Sequence, residues 1–522
     1  MPHSAPKLTA TLTLLLMSAC ASTSSEVPQA PYDVEHKSLV DLRADLLGGR
    51  VTSEHLVELY HERIALIDDA GPQFNSVLAL NPSALDDARR LDAERARGEI
   101  RGLLHGVPIL LKDNIESKDP LPTTAGSLAL ADNFTERDAP IVARLRAAGA
   151  IILGKANLSE WANIRSSNST SGWSAVGGLT RNAHDPLRTA CGSSAGSGVA
   201  VAASLCAAAL GTETDGSITC PASMNGVVGL KPTVGLLSRT HIVPISHTQD
   251  TAGPMTRSVR DAALLLSVMA GSDPADPSTV HADNFAEAYH EPLRSGANPL
   301  SGARLGVLRF HTQRHDEGTL AVFEAALNTL RAAGAELIEI EEFSGMREIG
   351  GHEFRILLTE LKADMNAYLA STPPAVTTRT LADVIAFNEA HAAEEMPHFA
   401  QEFFERAESQ PGLDDQEYKD SVAAAARMAG PEGIDRLLTE NNVTALIAPT
   451  AGPAWLIDLE NGDSHGPSCT TLPAVSGYPH LTLPMGKVEG LPVGLSFIGT
   501  AWSEGNLLRL GHGFEMVRGE FR

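Results

Sequence analysis

The sequence predicts an α/β fold, with one large domain built on a central mixed, mostly parallel β-sheet that helices cover on both faces. The chain has 522 residues, and its 43% of hydrophobic residues can bury a large core. A helical segment, a glycine and a short apolar strand follow one another at 141–154 and again at 322–340. This order is typical of layered α/β proteins in which neighbouring strands run parallel.

Residues 1–20 are predicted to be a targeting segment that is not part of the fold. A basic start precedes the apolar run 8–17, which is too short to span a bilayer but suits the apolar region of a signal peptide. The segment Met-Ser-Ala-Cys that ends at Cys20 resembles a bacterial lipobox, in which the cysteine is lipidated. Ordinary cleavage after Ala21 is the alternative. Either route predicts export, as a periplasm-facing or outer-membrane lipoprotein or as a periplasmic or secreted protein.

Residues 21–37 are small, polar and proline-containing, which predicts a flexible tether, and the folded domain is expected over 38–522. Apolar residues then recur every three or four positions from Ser38 to Ile67, which predicts helices that cover a sheet. The run LLHGVPILL at 103–111 predicts a buried strand that ends beside Lys112. Because burying an ammonium costs several kcal/mol, a lysine at this position either reaches solvent or takes part in chemistry.

The second half of the chain continues the same kinds of element after a Pro-, Gly- and Asp-rich link at 271–302. Apolar runs at 304–308 and 444–449 predict buried strands. Helical patterns predict long helices, near 357–369 and 381–407. The last part, 471–499, alternates Gly and Pro with apolar pairs, which predicts loops and closing strands that return to the core.

Composition excludes one class of partner. The chain carries 40 basic and 64 acidic side chains, a formal net charge of -24, and such a surface repels phosphate backbones. We therefore expect no nucleic-acid partner. No feature of the sequence implies an obligatory protein partner, and an N-terminal lipid on Cys20 would attach the protein to a membrane.

The five cysteines predict neither a metal site nor a cofactor. They form no CxxC pair, and the chain contains no HExxH motif, so zinc ligands with the usual spacing are missing. Cys191, Cys206 and Cys220 lie in or beside apolar or Gly-rich segments, which favours small, buried side chains. Whether any two cysteines pair cannot be read from their spacing.

The stretch 191–231 contains two Gly-rich serine loops, Gly192-Ser193-Ser194 and Asp215-Gly216-Ser217. It lacks the lysine of a phosphate-binding loop and the third glycine of a dinucleotide fingerprint. The first loop fits the GxSxG elbow of α/β-hydrolases, with Ser194 as the nucleophile. The polar, proline-containing segment before it disfavours the strand that this elbow needs. Four histidines are candidates for the base of such a triad: His241, His247, His391 and His480.

Four segments together resemble the amidase signature family, whose members hydrolyse amide C–N bonds with a Ser–Ser–Lys triad. They are LLKDN, GSSAGSGVAVAAS, GTETDGSITCPA and GVVGLKPTVGLLSR, and the resemblance runs from about residue 38 to the C-terminus, most densely over 103–258. It implies the amidase signature fold, with Lys112 as the catalytic lysine and Ser217 as the nucleophile. Ser193 would be the bridging serine, which the family holds after a cis peptide bond.

The resemblance also implies an oxyanion hole made of the backbone N–H groups of Thr214, Asp215, Gly216 and Ser217. Family members usually have two glycines before the nucleophile, whereas the first of these positions is Asp215 here. The side chain at this position is therefore the one departure from the family pattern inside the loop.

The chemistry requires these residue types. A serine hydroxyl is a weak nucleophile unless a base removes its proton during attack. With no histidine assigned, the base is a neutral lysine amine, whose pKa has to fall by about 3 units from a reference of about 10.4. Burial behind a strand lowers the pKa of a lysine in this way. Ser193 would relay the proton between Ser217 and Lys112 and later pass it to the departing amine.

The substrate class is narrowed by a further resemblance. The segments NLSEWAN, SGWS, QDTAGP and GTAWSE resemble those of bacterial peptide amidases, which remove the C-terminal amide of peptides as ammonia. Relatives that act on carboxylate-bearing substrates commonly have Arg two or three residues after the nucleophile, where this chain has Thr219 and Cys220. We therefore expect a neutral or extended amide substrate. Candidate substrate-binding residues are Ser194, Trp173 and Trp455.

Several alternatives remain open from the sequence. The chain could be a broad-specificity aliphatic or aryl amidase or an esterase of the same family. It could also be an amidotransferase subunit that passes ammonia to a partner, against which the export signal and the missing Arg argue. A solute-binding lipoprotein without activity is the last alternative, and the presence of Lys112, Ser193 and Ser217 argues against it.

Overall fold

The structure is a computed structural model that describes residues 1–3, 32–294, 298–519 and 521. Residues 4–20 of the predicted targeting segment, including Cys20, and most of the predicted tether lie outside these residues, and their assignment stays a prediction. The folded unit extends from Val34 to Arg522. Within the described part of the chain, no helix combines the length and the apolar character needed to cross a membrane.

Eleven strands form the central sheet, and their order across the sheet is β1-β3-β2-β6-β8-β7-β12-β13-β11-β9-β10. A separate two-stranded ribbon consists of β4 and β5. The strands are β1 Val77–Leu80, β2 Pro108–Lys112, β3 Ile151–Ala156, β4 Trp173–Ser174, β5 Gly178–Leu179, β6 Ala208–Glu213, β7 Val228–Lys231, β8 Thr251–Thr256, β9 Arg304–Leu308, β10 Glu336–Ile340, β11 Ala445–Pro449, β12 His480–Val488 and β13 Leu491–Ile498.

The predicted α/β class and the mixed sheet are confirmed, but the expected majority of parallel strands is wrong. Four neighbouring pairs are parallel, namely β2–β3, β2–β6, β9–β10 and β9–β11. The other six are antiparallel. The parallel pairs include both helix–glycine–strand units found in the sequence. One of the central antiparallel pairs has a local cause, because β12 and β13 are joined by a short turn at Gly490, and a turn of this length forces antiparallel pairing.

The sheet is flanked by helices. They are α1 Leu39–Leu47, α2 Ser53–Arg63, α3 Ala84–Ala96, α4 Pro140–Ala147, α5 Ala195–Ala202, α6 Thr219–Asn225, α7 Val259–Met269, α8 Glu317–Ala332, α9 Met346–Ala370, α10 Leu381–Ala390, α11 Ala392–Glu395, α12 Glu402–Glu408, α13 Gln416–Ala429, α14 Arg436–Glu440, α15 Thr471–Val475 and α16 Glu504–Arg518. The helices expected near the N-terminus are confirmed as α1 and α2, and Thr52 caps α2 by accepting a hydrogen bond from the amide of His55.

The long helix expected over 381–407 is divided into α10, α11 and α12. Pro397 lies between α11 and α12, and the residue before a proline is disfavoured in helical conformation, so the helical pattern cannot continue through it. The strands expected at 304–308 and 444–449 are confirmed as β9 and β11.

Strand β2 places the most important lysine of the chain. It is shorter than the predicted 103–111 because it begins at Pro108, and it includes Lys112 as its last residue. It lies between β3 and β6 in the sheet, and all five of its residues are buried. A lysine at the end of an interior strand therefore cannot reach solvent, which excludes the alternative that Lys112 extends into water.

Candidate active site

Lys112 is fully buried and is held by polar groups at the ends of neighbouring strands. Its Nζ lies 2.8 Å from Oγ of Ser193, 2.7 Å from Oγ1 of Thr212 and 3.2 Å from the carbonyl oxygen of Thr212. The side-chain amide of Asn114 donates to the same Thr212 hydroxyl at 2.9 Å. The amine is thus fixed in one place and faces the first serine loop.

Burial lowers the pKa of Lys112 from its ordinary value of 10.5 to about 7, and the negative charges of Asp250 and Glu213 oppose this fall. Desolvation is the larger effect because it penalises only the charged form of the amine. Near neutral pH a large fraction of Lys112 is therefore uncharged and able to accept a proton. This is the change of pKa that a lysine base requires.

The two serine loops are in direct contact. The peptide bond Gly192–Ser193 is cis, and Ser193 is completely buried with its hydroxyl against Lys112. The amide of Ser194 donates to the carbonyl oxygen of Ser217 at 3.0 Å. The absence of a side chain at Gly192 allows a close approach to Ser159, because a Cβ there would lie 2.1 Å from Oγ of Ser159. The fold therefore brings Lys112, Ser193 and Ser217 together from three separate elements.

The loop at 214–217 offers unused hydrogen-bond donors next to Ser217. Within the described ranges, the backbone N–H groups of these four residues donate to no other protein group, whereas the two following amides are both bound by Glu213. Oε2 of Glu213 accepts from Ile218 at 2.7 Å and from Thr219 at 2.9 Å, and so fixes the start of α6. Gly216 has a φ of 79° and so adopts a conformation that favours glycine.

The serine loops open into a cavity of about 570 Å³. Ser217, Gly216 and Trp455 line it, together with residues from both halves of the chain. Ser217 is 9% exposed, so its hydroxyl is at the boundary between the protein interior and the cavity, whereas Ser193 lies behind the cavity wall. A volume of this size is in the range of pockets that hold small organic ligands.

Two of the three candidate substrate-binding residues are not part of the cavity wall. Ser194 is completely buried, and its hydroxyl donates to the carbonyl oxygen of Thr212 at 3.0 Å. Trp173 is packed edge-on against Phe399 and lies under the guanidinium of Arg165. Both side chains pack in the protein interior and do not line the cavity, so the prediction that they bind the substrate is wrong. Trp455 lines the cavity as predicted, and its Nε1 donates to Asp463 at 3.1 Å.

The α/β-hydrolase interpretation is excluded by the same contacts. Ser194 is enclosed and bound to Thr212, so it cannot act as a nucleophile. In the described structure none of the four candidate histidines contacts either serine loop. Their partners are Glu116 for His241, Asp364 and Glu360 for His247, Phe387 for His391 and Ser496 for His480.

Cys191 and Cys206 are buried as expected, whereas Cys220 is only half-buried. Cys191 and Cys220 form a disulfide, while Cys206 and Cys469 are free and buried. The two bonded residues are 29 positions apart in sequence, and only the fold brings their Cα atoms to 6.0 Å. The bridge joins the residue before Gly192 to α6, which follows Ser217, and so it connects the two serine loops.

We expect replacement of both Cys191 and Cys220 by serine to destabilise the protein by about 3 to 4 kcal/mol, because the disulfide closes a loop of about 30 residues in the unfolded chain. Denaturant unfolding measures this change. A thiol reductant should lower the stability of the wild-type chain by a similar amount and leave the double variant unchanged. Equal stability of both proteins without reductant would contradict the prediction.

The groups that hold Lys112 and the 214–217 loop were not predicted from the sequence. Thr212 and Glu213 end β6, a strand that was not predicted, and Asn114 follows Lys112 by two positions. A signal was present, because AALGTE is an apolar run that ends in polar residues, as LLKDN does. In a sheet with parallel β2 and β6 such run ends meet at the same edge.

The fold and the site together define a hydrolase. The family model named Amidase matches residues 55–508. The chain belongs to this family, the amidase signature family.

Three relatives show how far the likeness extends. The solved structure of the native peptide amidase from Stenotrophomonas maltophilia is 46% identical, with a TM-score of 0.88, and the match covers 93% of this chain and 98% of that one. A probable amidase from Arabidopsis thaliana is 38% identical over 97% of this chain and 94% of its own length. A glutamyl-tRNA(Gln) amidotransferase subunit from Halorhodospira halophila is 33% identical over 93% of this chain and 98% of its own length.

Proposed function

We propose that this amidase removes the C-terminal amide of peptides as ammonia, through an acyl-enzyme on Ser217. The likeness to a peptide amidase over nearly the whole chain supports this substrate class. The observation that carries the mechanism is the buried Lys112, whose Nζ lies 2.8 Å from the hydroxyl of Ser193 in the loop that contacts Ser217. A cavity of about 570 Å³ has room for the terminal residues of a peptide.

The proposed reaction begins with attack of the Ser217 hydroxyl on the carbonyl carbon of the terminal amide. Ser193 accepts the proton of Ser217 and passes its own proton to the neutral amine of Lys112. The free N–H groups of 214–217 stabilise the oxyanion of the tetrahedral intermediate. The proton returns through Ser193 to the nitrogen, ammonia leaves, and water hydrolyses the acyl-enzyme by the same proton route.

The experiment is an ammonia assay on a C-terminally amidated peptide, with mass spectrometry of the product. We expect a product of the same length whose terminal amide has become a carboxylate, with all internal peptide bonds intact. Cleavage of internal bonds would contradict the proposal. Ammonia from small aliphatic or aryl amides but from no amidated peptide would favour a broad-specificity amidase instead. Activity of the chain alone also separates it from a subunit that needs a partner.

We propose further that the protein is exported. The sequence of residues 1–20 supports this proposal, and so does the Cys191–Cys220 disulfide, because stable disulfides form mainly in oxidising compartments. Mass spectrometry of the mature N-terminus is the test. A lipidated Cys20 would support attachment to a membrane. Cleavage after Ala21 would support a soluble exported protein. An intact leader would contradict export.

A further inference from the structure

Three acidic residues line the cavity that contains Ser217; Asp316 caps α8, and the carboxyl groups of the other two have no part in the proton route described above. These two groups belong to Asp215 and Glu353, which we call the acidic pair. Each carboxyl shifts the pKa of the other, so the two side chains are near neighbours, and two carboxyl groups in contact share a proton. Glu353 is 9% exposed, and Asp215 is partly buried.

Uncharged side chains around the acidic pair donate hydrogen bonds to it. The hydroxyl of Thr471 donates to Oδ2 of Asp215 at 3.0 Å, and the side-chain amide of Gln249 donates to Oε1 of Glu353 at 3.0 Å. Burial raises the pKa of both carboxyls, that of Glu353 well above its ordinary value. Ionisation of one of the two carboxyls leaves the acidic pair with one shared proton and one negative charge.

Nearby cations do not cancel this charge inside the cavity. Lys231 acts electrostatically on Asp215, but it also faces the carboxyls of Glu213 and Glu504. The basic side chains on the cavity wall are Arg314 and His465, and both are exposed. The exposed cations of the cavity wall thus lie where the cavity meets solvent, and the buried Lys231 is shared among three carboxyls.

The substrate and the product of the proposed reaction differ in charge and in hydrogen-bond donors, and a negative charge in the cavity therefore favours one over the other. A terminal carboxamide is neutral and carries two N–H donors, whereas the product carboxylate is negative and carries none. The two groups have almost the same shape, so a cavity that recognised shape alone would bind both. Asp215 precedes Ser217 by only two residues, and both residues line the same cavity.

We propose that the acidic pair selects a carboxamide over a carboxylate at this site, by accepting a hydrogen bond from the amide nitrogen and by repelling the product acid. This inference rests on the proposed function. A carboxylate that faced the acidic pair would be a like-charge contact, which strongly disfavours binding. The same repulsion would expel the product after hydrolysis and would keep ordinary peptides, which end in a carboxylate, out of the cavity.

The test uses the Ser217→Ala protein, which can bind a peptide amide without converting it. Calorimetry compares one peptide as its C-terminal amide and as its free acid. We expect the amide to bind at least about 100-fold more tightly than the acid at pH 7. Addition of Glu353→Gln should preserve most of this preference, because a glutamine can donate to the charged Asp215.

The combined change Asp215→Asn and Glu353→Gln removes the charge and should reduce the preference to a few-fold. If that protein does not fold, the Ser217→Ala protein at pH 5 gives the second measurement. The terminal carboxylate of the peptide, with a pKa of about 3.5, stays charged at both pH values, so a larger protonated fraction of the acidic pair should improve binding of the acid relative to pH 7.

Equal binding of amide and acid by the Ser217→Ala protein would overturn the inference alone. An unchanged preference in the neutralised protein would do the same. Binding of neither peptide, together with no ammonia release by the wild-type chain, would contradict the proposed function and the inference with it.

Discussion

Replacement of Ser217 by alanine is expected to lower kcat/KM for ammonia release from an amidated peptide by at least about 10⁴-fold. The reason is that Ser217 lines the cavity, whereas the hydroxyl of Ser193 is enclosed behind the cavity wall. Without this hydroxyl no acyl-enzyme forms, and only binding and the oxyanion donors remain. The measurement is a steady-state ammonia assay with the same peptide for both proteins.

The matched control for this prediction is Ser194→Ala. Ser194 lies one residue from Ser193 but is bound to Thr212 and does not border the cavity, so its loss should cost no more than about tenfold. A larger loss for Ser194→Ala than for Ser217→Ala would contradict the assignment and restore the α/β-hydrolase interpretation. Equal melting temperatures of Ser217→Ala and wild type would show that the loss is chemical.

Replacement of Lys112 by methionine is expected to lower kcat/KM by several orders of magnitude without unfolding the protein. Methionine has nearly the length of lysine but cannot accept a proton, so the relay from Ser193 ends without a base. The buried amine disfavours the folded state wherever it is charged, and an apolar side chain in its place should keep or raise the melting temperature. Activity and thermal unfolding of the same preparation measure both effects.

The pH dependence follows from the pKa of Lys112, which burial lowers to about 7. The neutral amine is the active form, so kcat/KM should fall about tenfold per pH unit below pH 7 and reach a plateau above it. The effect on stability has the same sign. Between about pH 7 and 10.5 the unfolded chain binds the proton that folded Lys112 does not, so stability rises with pH in this window. Lys112→Met should remove this dependence.

Histidine variants are the control for the lysine base. Replacement of His241 or His391 by alanine should leave the rate within about tenfold, because neither ring contacts a serine loop in the described structure. A histidine whose replacement lowered the rate as much as that of Lys112 would contradict the mechanism. A kcat/KM of the wild type that did not fall below pH 7 would contradict it as well.

The features that depend on local patterns could be predicted from the amino-acid order alone. A fully apolar strand that ends in lysine, two Gly-rich serine loops and a recurring helix–glycine–strand order are all contained in short segments. They were sufficient to predict the α/β class, the strand that carries Lys112 and the two loops. Lys112 lies next to Ser193, as the resemblance of these segments to the family implied.

Contacts between distant residues became visible only in the folded chain. The antiparallel centre of the sheet, the Cys191–Cys220 bridge, the interior position of Trp173 and the contact of Asp215 with Glu353 each join segments that are far apart in the sequence. Hydrophobic periodicity reports which face of an element is buried, but not which other element covers it. That choice is made by packing all the elements at once, and so it cannot be read from any one segment.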